Sequence, residues 1–216
     1  MKKSVYISGS TQENNLGTQE YGNEQFRMQE FSDMVRNILL ELSSEIEVHR
    51  NHKGMSLEDT VIDCNKKGCD LFIDNHTNAG EAHIGGCEAF YYKGISNSPS
   101  TSFKFTELLY NKINSLGVNK GRGIKPDTSL YCSGLYVIQH TICPASLIEL
   151  FFHTKKNDVD NYLKLIDEYA QAEADCILEF FDLLATSKTP VLKKIETFET
   201  LLKELVKAWD DLKIGR

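Results

Sequence analysis

Three residues of this 216-residue chain stand where they could move protons or hold a cation: Glu24, His76 and Glu149. Glu149 ends a run of apolar residues, Leu147-Ile148, and is followed by another, Leu150-Phe151-Phe152. An ionised carboxylate is costly to bury without a partner. Such a residue therefore faces a charged group in a cleft or has a raised pKa there, and both settings suit proton transfer. A solvent-facing edge-strand glutamate is the plainer alternative. His76 lies in Asp74-Asn75-His76-Thr77-Asn78, just past an apolar run. A neutral imidazole at the rim of a cleft is a natural zinc ligand, although a lone histidine among polar residues is more often an ordinary loop residue. Glu24 stands in a first helical turn, where the helix dipole favours an acid in any case.

The elements that would position these residues alternate between strand and helix. Val5–Ile7 reads as a buried strand running into Ser8-Gly9-Ser10. Glu24 to Leu42 reads as a helix, with Phe31, Met34, Val35, Ile38, Leu39 and Leu42 at helical spacing and Asn23 as its cap. Glu45 to His49 is a second strand. Ser56 opens a second helix through a Ser-x-x-Asp start, with Leu57, Val61 and Ile62 expected inward. Asp70 to Asp74, Cys87 to Tyr92, Tyr136 to Ile138 and Ser146 to Leu150 read as four further strands. Residues 102–116 form a third helix, and 158–184 one long helix. The pattern predicts an α/β fold: a twisted, mostly parallel sheet of about six strands with helices on both faces. Ligands of such sheets sit beyond the carboxyl ends of the strands. Glu24, His76 and Glu149 all fall there, as do Ser8, Ser10, Thr11, Gln12 and Glu13.

Composition narrows the function classes. The apolar and charged fractions, 41% and 25%, are those of a soluble globular chain. A net charge of −7 argues against a nucleic-acid partner. It gives no help in binding an anionic polymer either, so affinity must come from local contacts. The six cysteines lack any CxxC pair and read as reduced core residues, which suggests synthesis in a reducing cytoplasm. The opening Met1-Lys2-Lys3-Ser4 and short apolar stretch do not resemble a signal peptide, and no run is long enough for membrane insertion. Residues 1–186 form the expected catalytic domain. Beyond it, Val191, Ile195, Phe198, Leu202, Leu205, Trp209 and Leu212 follow a heptad seam. The segment 187–216 is therefore expected as a C-terminal amphipathic helix that docks on its own domain, links to another module or supports a homodimer.

Several segments together resemble the catalytic domain of the zinc-dependent N-acetylmuramoyl-L-alanine amidases of type 3. Asp70 to Ala79 is similar to the family's D-L-F-I-S-I-H-x-N-A. Gly86 to Tyr92 is similar to G-x-E-V-Y-Y, and Arg122-Gly123-Ile124-Lys125 to R-G-V-K. Leu135 to Ile138 followed by Pro144 to Glu149 is similar to L-x-V-L and P-A-V-L-V-E. The likeness runs in order from about residue 4 to 184. It implies hydrolysis of the amide between N-acetylmuramic acid and L-alanine of peptidoglycan. It also implies one Zn2+ held by His76 and Glu24, with Glu149 as catalytic acid and base. Asn78 and Arg122 become candidate substrate contacts. Where the family places its first histidine ligand, in G-H-G-G after the first strand, this chain reads Ser8-Gly9-Ser10-Thr11-Gln12-Glu13-Asn14-Asn15. Gln12 is the expected oxygen ligand in its place, with Glu13 and His153 as alternatives. A phage-type endolysin or an autolysin fits these features. The rival is a non-catalytic peptidoglycan-binding relative with a degenerate metal site.

Overall fold

The computed structural model describes residues 2–81, 83–94, 100–129, 133–183, 198 and 200–206. Six strands form one sheet: β1 (Lys3–Gly9), β2 (Ile46–Arg50), β3 (Leu71–Asn78), β4 (Glu88–Tyr91), β5 (Gly123–Pro126) and β6 (Ala145–Phe152), in the order β2-β1-β3-β6-β4-β5. All neighbours pair in parallel except β4 and β6, which are antiparallel. The expected α/β fold is present. The helices that pack on the sheet are α1 (Glu24–Leu42), α2 (Leu57–Lys67), α3 (Thr101–Leu116), α4 (Tyr136–His140), α5 (Lys156–Lys164) and α6 (Ile166–Phe180), with a short 3-10 turn at Asp127–Ser129.

Strand side chains alternate between faces, and each face builds its own core. On one face Val5, Ile7, Leu71, Ile73, Ala89 and Ile148 pack against α1, α3, α5 and α6. On the other, Tyr6, Phe72, Phe90 and Leu147 meet α2 and α4. The capping predictions hold. The Asn23 side chain accepts from the Phe26 N–H, and Ser56 and Asp59 form a reciprocal capping box. Gly9 lets α1 come close to the end of β1, because a Cβ there would lie 2.6 Å from the Met28 carbonyl oxygen. That approach carries the first turn of α1, and Glu24 with it, over the sheet edge.

Four expectations are corrected. Tyr136–Ile138 is not a strand but the start of α4, whose Tyr136 and His140 rings stack at 4.1 Å one turn apart. A short apolar run cannot by itself distinguish strand from buried helix. The sixth strand is instead β5, a four-residue edge strand ending in proline, which carries little apolar signal. The single long helix breaks at Leu165 (φ −117, ψ 24), where Asn161 reaches to the Leu116 carbonyl and the Tyr169 hydroxyl. On α2 Val61 is buried, but Leu57 and Ile62 are exposed, so the buried stripe is Thr60, Val61 and Cys64.

The five described cysteines, Cys64, Cys69, Cys87, Cys143 and Cys176, are free. Of the heptad positions, Phe198, Leu202 and Leu205 lie on helical backbone and are exposed. Val191, Ile195, Trp209 and Leu212 lie outside the described residues.

Candidate active site

The carboxyl edge of β1, β3 and β6 meets the first turn of α1 around one imidazole. His76 is not in a loop after β3. It is the sixth residue of that strand, which continues to Asn78. Its Cα pairs with that of Glu149 on β6, and Glu149 in turn pairs with Glu88 on β4. Directly paired residues share a face, so His76, Glu149 and Glu88 project to one side of the sheet in a row.

Glu24 and Asp74 hold His76 between them. Glu24 Oε1 lies 3.0 Å from His76 Nδ1, and Asp74 Oδ2 lies 3.1 Å from Nε2. Burial opposes a charge on this imidazole, but Asp74 and then Glu24 outweigh it and raise its pKa well above the ordinary value. Glu24 is fully buried. Burial alone would raise its pKa, yet the His76 contact, the Ser10 hydroxyl and the Thr77 N–H together lower it. Its Oε1 accepts from the Thr77 N–H at 3.3 Å, and its Oε2 accepts from the Asn15 amide.

Gln12 stands at the open side of the pair. Its amide nitrogen is 3.5 Å from His76 Nδ1, and its Oε1 accepts from Asn15 at 3.2 Å. Presenting Oε1 toward His76 requires the amide to turn over, and which end of a side-chain amide is oxygen follows from its hydrogen-bond partners. His153 approaches the other oxygen of Glu24. It is buried behind Glu24, 3.9 Å from Oε2, stacked on Tyr21 and 2.9 Å from the Thr77 hydroxyl. Burial lowers its pKa, so it is a neutral prop for Thr77 and Tyr21.

Glu149 lines a cleft of about 370 Å³ together with His76, Asp74, Gln12, Leu57 and Tyr136. Its Oε2 is buried with no hydrogen-bond partner. Burial pushes its pKa up to about 8; His76 opposes the shift, while Glu24, Glu88 and Asp74 add to it. Asn78 and Arg122, expected as substrate contacts, converge on Glu88: Asn78 donates to Oε1 at 2.5 Å and Arg122 Nε to Oε2 at 3.1 Å. Lys125 joins them at Oε2. Asp74, Asn15, Glu88 and Lys125 were not singled out from the sequence. Asp74 lies two residues before His76 on the same strand, and Glu88 and Lys125 fall inside the motifs that carry the family resemblance.

The donors present fit a divalent cation. An imidazole nitrogen, a carboxylate and a side-chain amide converge within 3.5 Å, and an acid with an unsatisfied buried oxygen stands on the neighbouring strand. Among the described residues no group of three or more His, Cys, Asp or Glu side chains is arranged for a metal. The Gln12 amide lies within 3.5 Å of the His76 ring.

A mostly parallel sheet presenting an imidazole and converging carboxylates to an open cleft at its carboxyl edge is the build of a hydrolase. The sequence profile of the N-acetylmuramoyl-L-alanine amidases matches residues 8–179, and the chain belongs to that family. Among solved structures it is similar to the catalytic domain of the amidase CwlV from Bacillus (Paenibacillus) polymyxa var. colistinus, with TM-score 0.71 and 21% identity, covering 84% of this chain and 99% of that one. It is similar to the amidase of Clostridium difficile 630 at TM-score 0.72 and 20% identity, covering 84% and 97%. It is also similar to the catalytic domain of the CD27L endolysin targeting Clostridia difficile, at TM-score 0.65 and 22% identity, covering 83% and 97%. A curated relative, the uncharacterized protein YqiI of Bacillus subtilis, is 29% identical over 128 residues. The match spans 59% of this chain and 57% of that protein's length.

Proposed function

We propose that the chain hydrolyses the amide between the lactyl group of N-acetylmuramic acid and L-alanine in peptidoglycan, with one zinc ion held by Gln12, Glu24 and His76. The observation that carries this reading is the 3.0 Å approach of Glu24 Oε1 to His76 Nδ1, with Glu149 paired beside His76 on the next strand. Family membership supplies the substrate class. Zinc, when bound, would supply Lewis acidity that acidifies a water and polarises the scissile carbonyl.

The chain's own groups do the rest. Asp74 fixes the ring of His76 through Nε2, so that Nδ1 faces Glu24 and Gln12, where the ion would be held. Glu24 is locked by the Thr77 N–H and the Asn15 amide. Glu149 accepts the proton of the attacking water and passes it to the leaving alanine nitrogen. Burial raises its pKa to about 8, so the ionised form that takes this proton grows as pH rises toward that value. Arg122 and Lys125, both partly exposed beside Glu88, offer positive charge to acidic groups of the stem peptide.

Action at the cell wall as an endolysin is the biological setting we favour; the likeness to the CD27L catalytic domain supports it through the fold. Among the described residues no helix is long and apolar enough to cross a membrane. The exposed Phe198, Leu202 and Leu205 support a self-associating C-terminal helix. The test is zinc analysis of the purified chain combined with product analysis of digested walls. Stoichiometric zinc and new amino-terminal alanine, without new reducing sugar ends, are expected. Wall binding without cleavage and without zinc would instead mark a peptidoglycan-binding relative.

A further inference from the structure

Helix α2 carries a second cluster at the end remote from the cleft. Cys64 lies in its last two turns, Cys69 follows the left-handed Gly68 cap (φ 66), and Cys143 lies in the segment leading into β6. Cys64 and Cys69 belong to one buried apolar cluster, and Cys143 packs against it. Cys64 and Cys69 are buried, whereas Cys143 is partly open to solvent. Backbone contacts fix this meeting. Asn65, the next residue on α2, donates to the His140 carbonyl at 2.8 Å and accepts from the Ile142 N–H at 3.0 Å. The Phe72 N–H donates to the Pro144 carbonyl at 2.9 Å. The chain on both sides of Cys143 is thus pinned to α2 and β3.

We propose that Cys64 and Cys143 form an oxidation site, which hydrogen peroxide closes into a disulfide joining α2 to the segment before β6. Cys143 is the entry point because it is the member of the cluster that solvent reaches. Its thiol loses a proton, the thiolate attacks one peroxide oxygen and the O–O bond breaks; a sulfenic acid forms, and the hydroxide released takes up that proton as water. The Cys64 sulfur then displaces hydroxide from the Cys143 sulfur; the S–S bond forms, and the Cys64 proton leaves with the hydroxide as a second water. Two thiols lose two electrons and two protons, and one peroxide becomes two waters.

The bond would join two elements that also wall the cleft. Leu57, in the first turn of α2, and Tyr136 and Val137 of α4 line it, while Cys64 and Cys143 lie toward the other ends of the same segments. The link therefore closes a long loop of chain, the kind of crosslink that most restricts the unfolded state, and it ties the two walls together behind the cleft. The site is independent of the metal reading, since none of its residues touches His76 or Glu24.

The experiment uses the full chain, reduced, freed of reductant and exposed to hydrogen peroxide. Unreacted thiols are then blocked and peptides mapped without reduction. A Cys64–Cys143 crosslinked peptide is expected, lost in Cys64→Ser and in Cys143→Ser but kept in Cys69→Ser. The oxidised wild-type chain should also melt several degrees higher, and dithiothreitol should reverse the shift. Cys143 accumulating as sulfinic acid beside a free Cys64 would overturn the proposal, as would a disulfide to a different cysteine or both thiols staying free. The wild-type map decides these outcomes even if a serine variant folds poorly.

Discussion

Asp74 Oδ2 stands 3.1 Å from His76 Nε2, and the two residues are neighbours on the same face of one strand. In a strand, residues two apart project to the same side, so the contact is written into the local sequence. It leaves only Nδ1 of the imidazole to face Glu24 and Gln12.

Replacing Asp74 by asparagine keeps the size and removes the charge behind the ring. A carboxylate hydrogen-bonded to the far nitrogen of a metal-bound histidine typically contributes about 10–100-fold to metal affinity. Asp74→Asn is therefore expected to bind zinc about 10–100-fold more weakly, with unchanged far-ultraviolet circular dichroism. Isothermal titration with zinc measures it, and wild-type affinity in the variant would show that Asp74 does not act through a metal-bound His76.

Gln12 makes the opposite prediction. An amide oxygen is a weaker zinc donor than an imidazole, which suits this metal well. Gln12→His should bind zinc more tightly than wild type, and Gln12→Ala more weakly. The same titration ranks the three chains. If Gln12→Ala matched wild type, the loop after β1 would hold no ligand, and the third position would belong to solvent.

Much of this site was legible because its residues fall at the ends of strands that the apolar pattern exposes. Asn23 and Glu24 follow from a cap and a helical stripe, and α1 spans the predicted residues. His76 and Glu149 followed from runs of buried residues in β3 and β6. The unread part consists of contacts that only the sheet order creates. β4 lies between β6 and β5, so Glu88 meets Glu149 on one side, and Arg122 and Lys125 gather around it from the other. No local pattern announces that pairing. The helix Tyr136–His140 was hidden for a related reason: Val137 and Ile138 are apolar and β-favouring, and their packing beside Val61 and Cys64 of α2 is not written in the local sequence.

Glu149→Gln keeps the shape of the side chain and removes its titration. Positioned general acids and bases contribute about 10²–10⁴-fold to rate, so wall hydrolysis is expected to fall by about that much while zinc binding persists. Release of amino-terminal alanine from purified peptidoglycan gives the rate. Full activity in this variant would transfer the proton step to another group.

Glu173 offers a test of the fold away from the cleft. It lies on α6, fully buried, where Asn75 donates to its Oε1 at 3.0 Å and its Oε2 has no partner. Asn75 precedes His76 on β3 and points to the opposite face, so this contact anchors the strand that carries the imidazole. Burial raises the Glu173 pKa to about 7, against the opposing Asn75 hydrogen bond and the Arg50 charge. An unfolded glutamate titrates near 4.3. Between these values the folded chain holds a proton that the unfolded chain has lost. Stability therefore falls as pH rises across that window, by about 1.4 kcal/mol per unit and ~4 kcal/mol in all. Glu173→Gln has no such proton to lose. Its thermal stability relative to wild type should improve steadily from about pH 4.5 to about pH 7 and then level off. Melting curves of the two chains across this range measure the difference. A constant offset between them would mean that Glu173 is already ionised in the fold, with Arg50 rather than burial setting its charge.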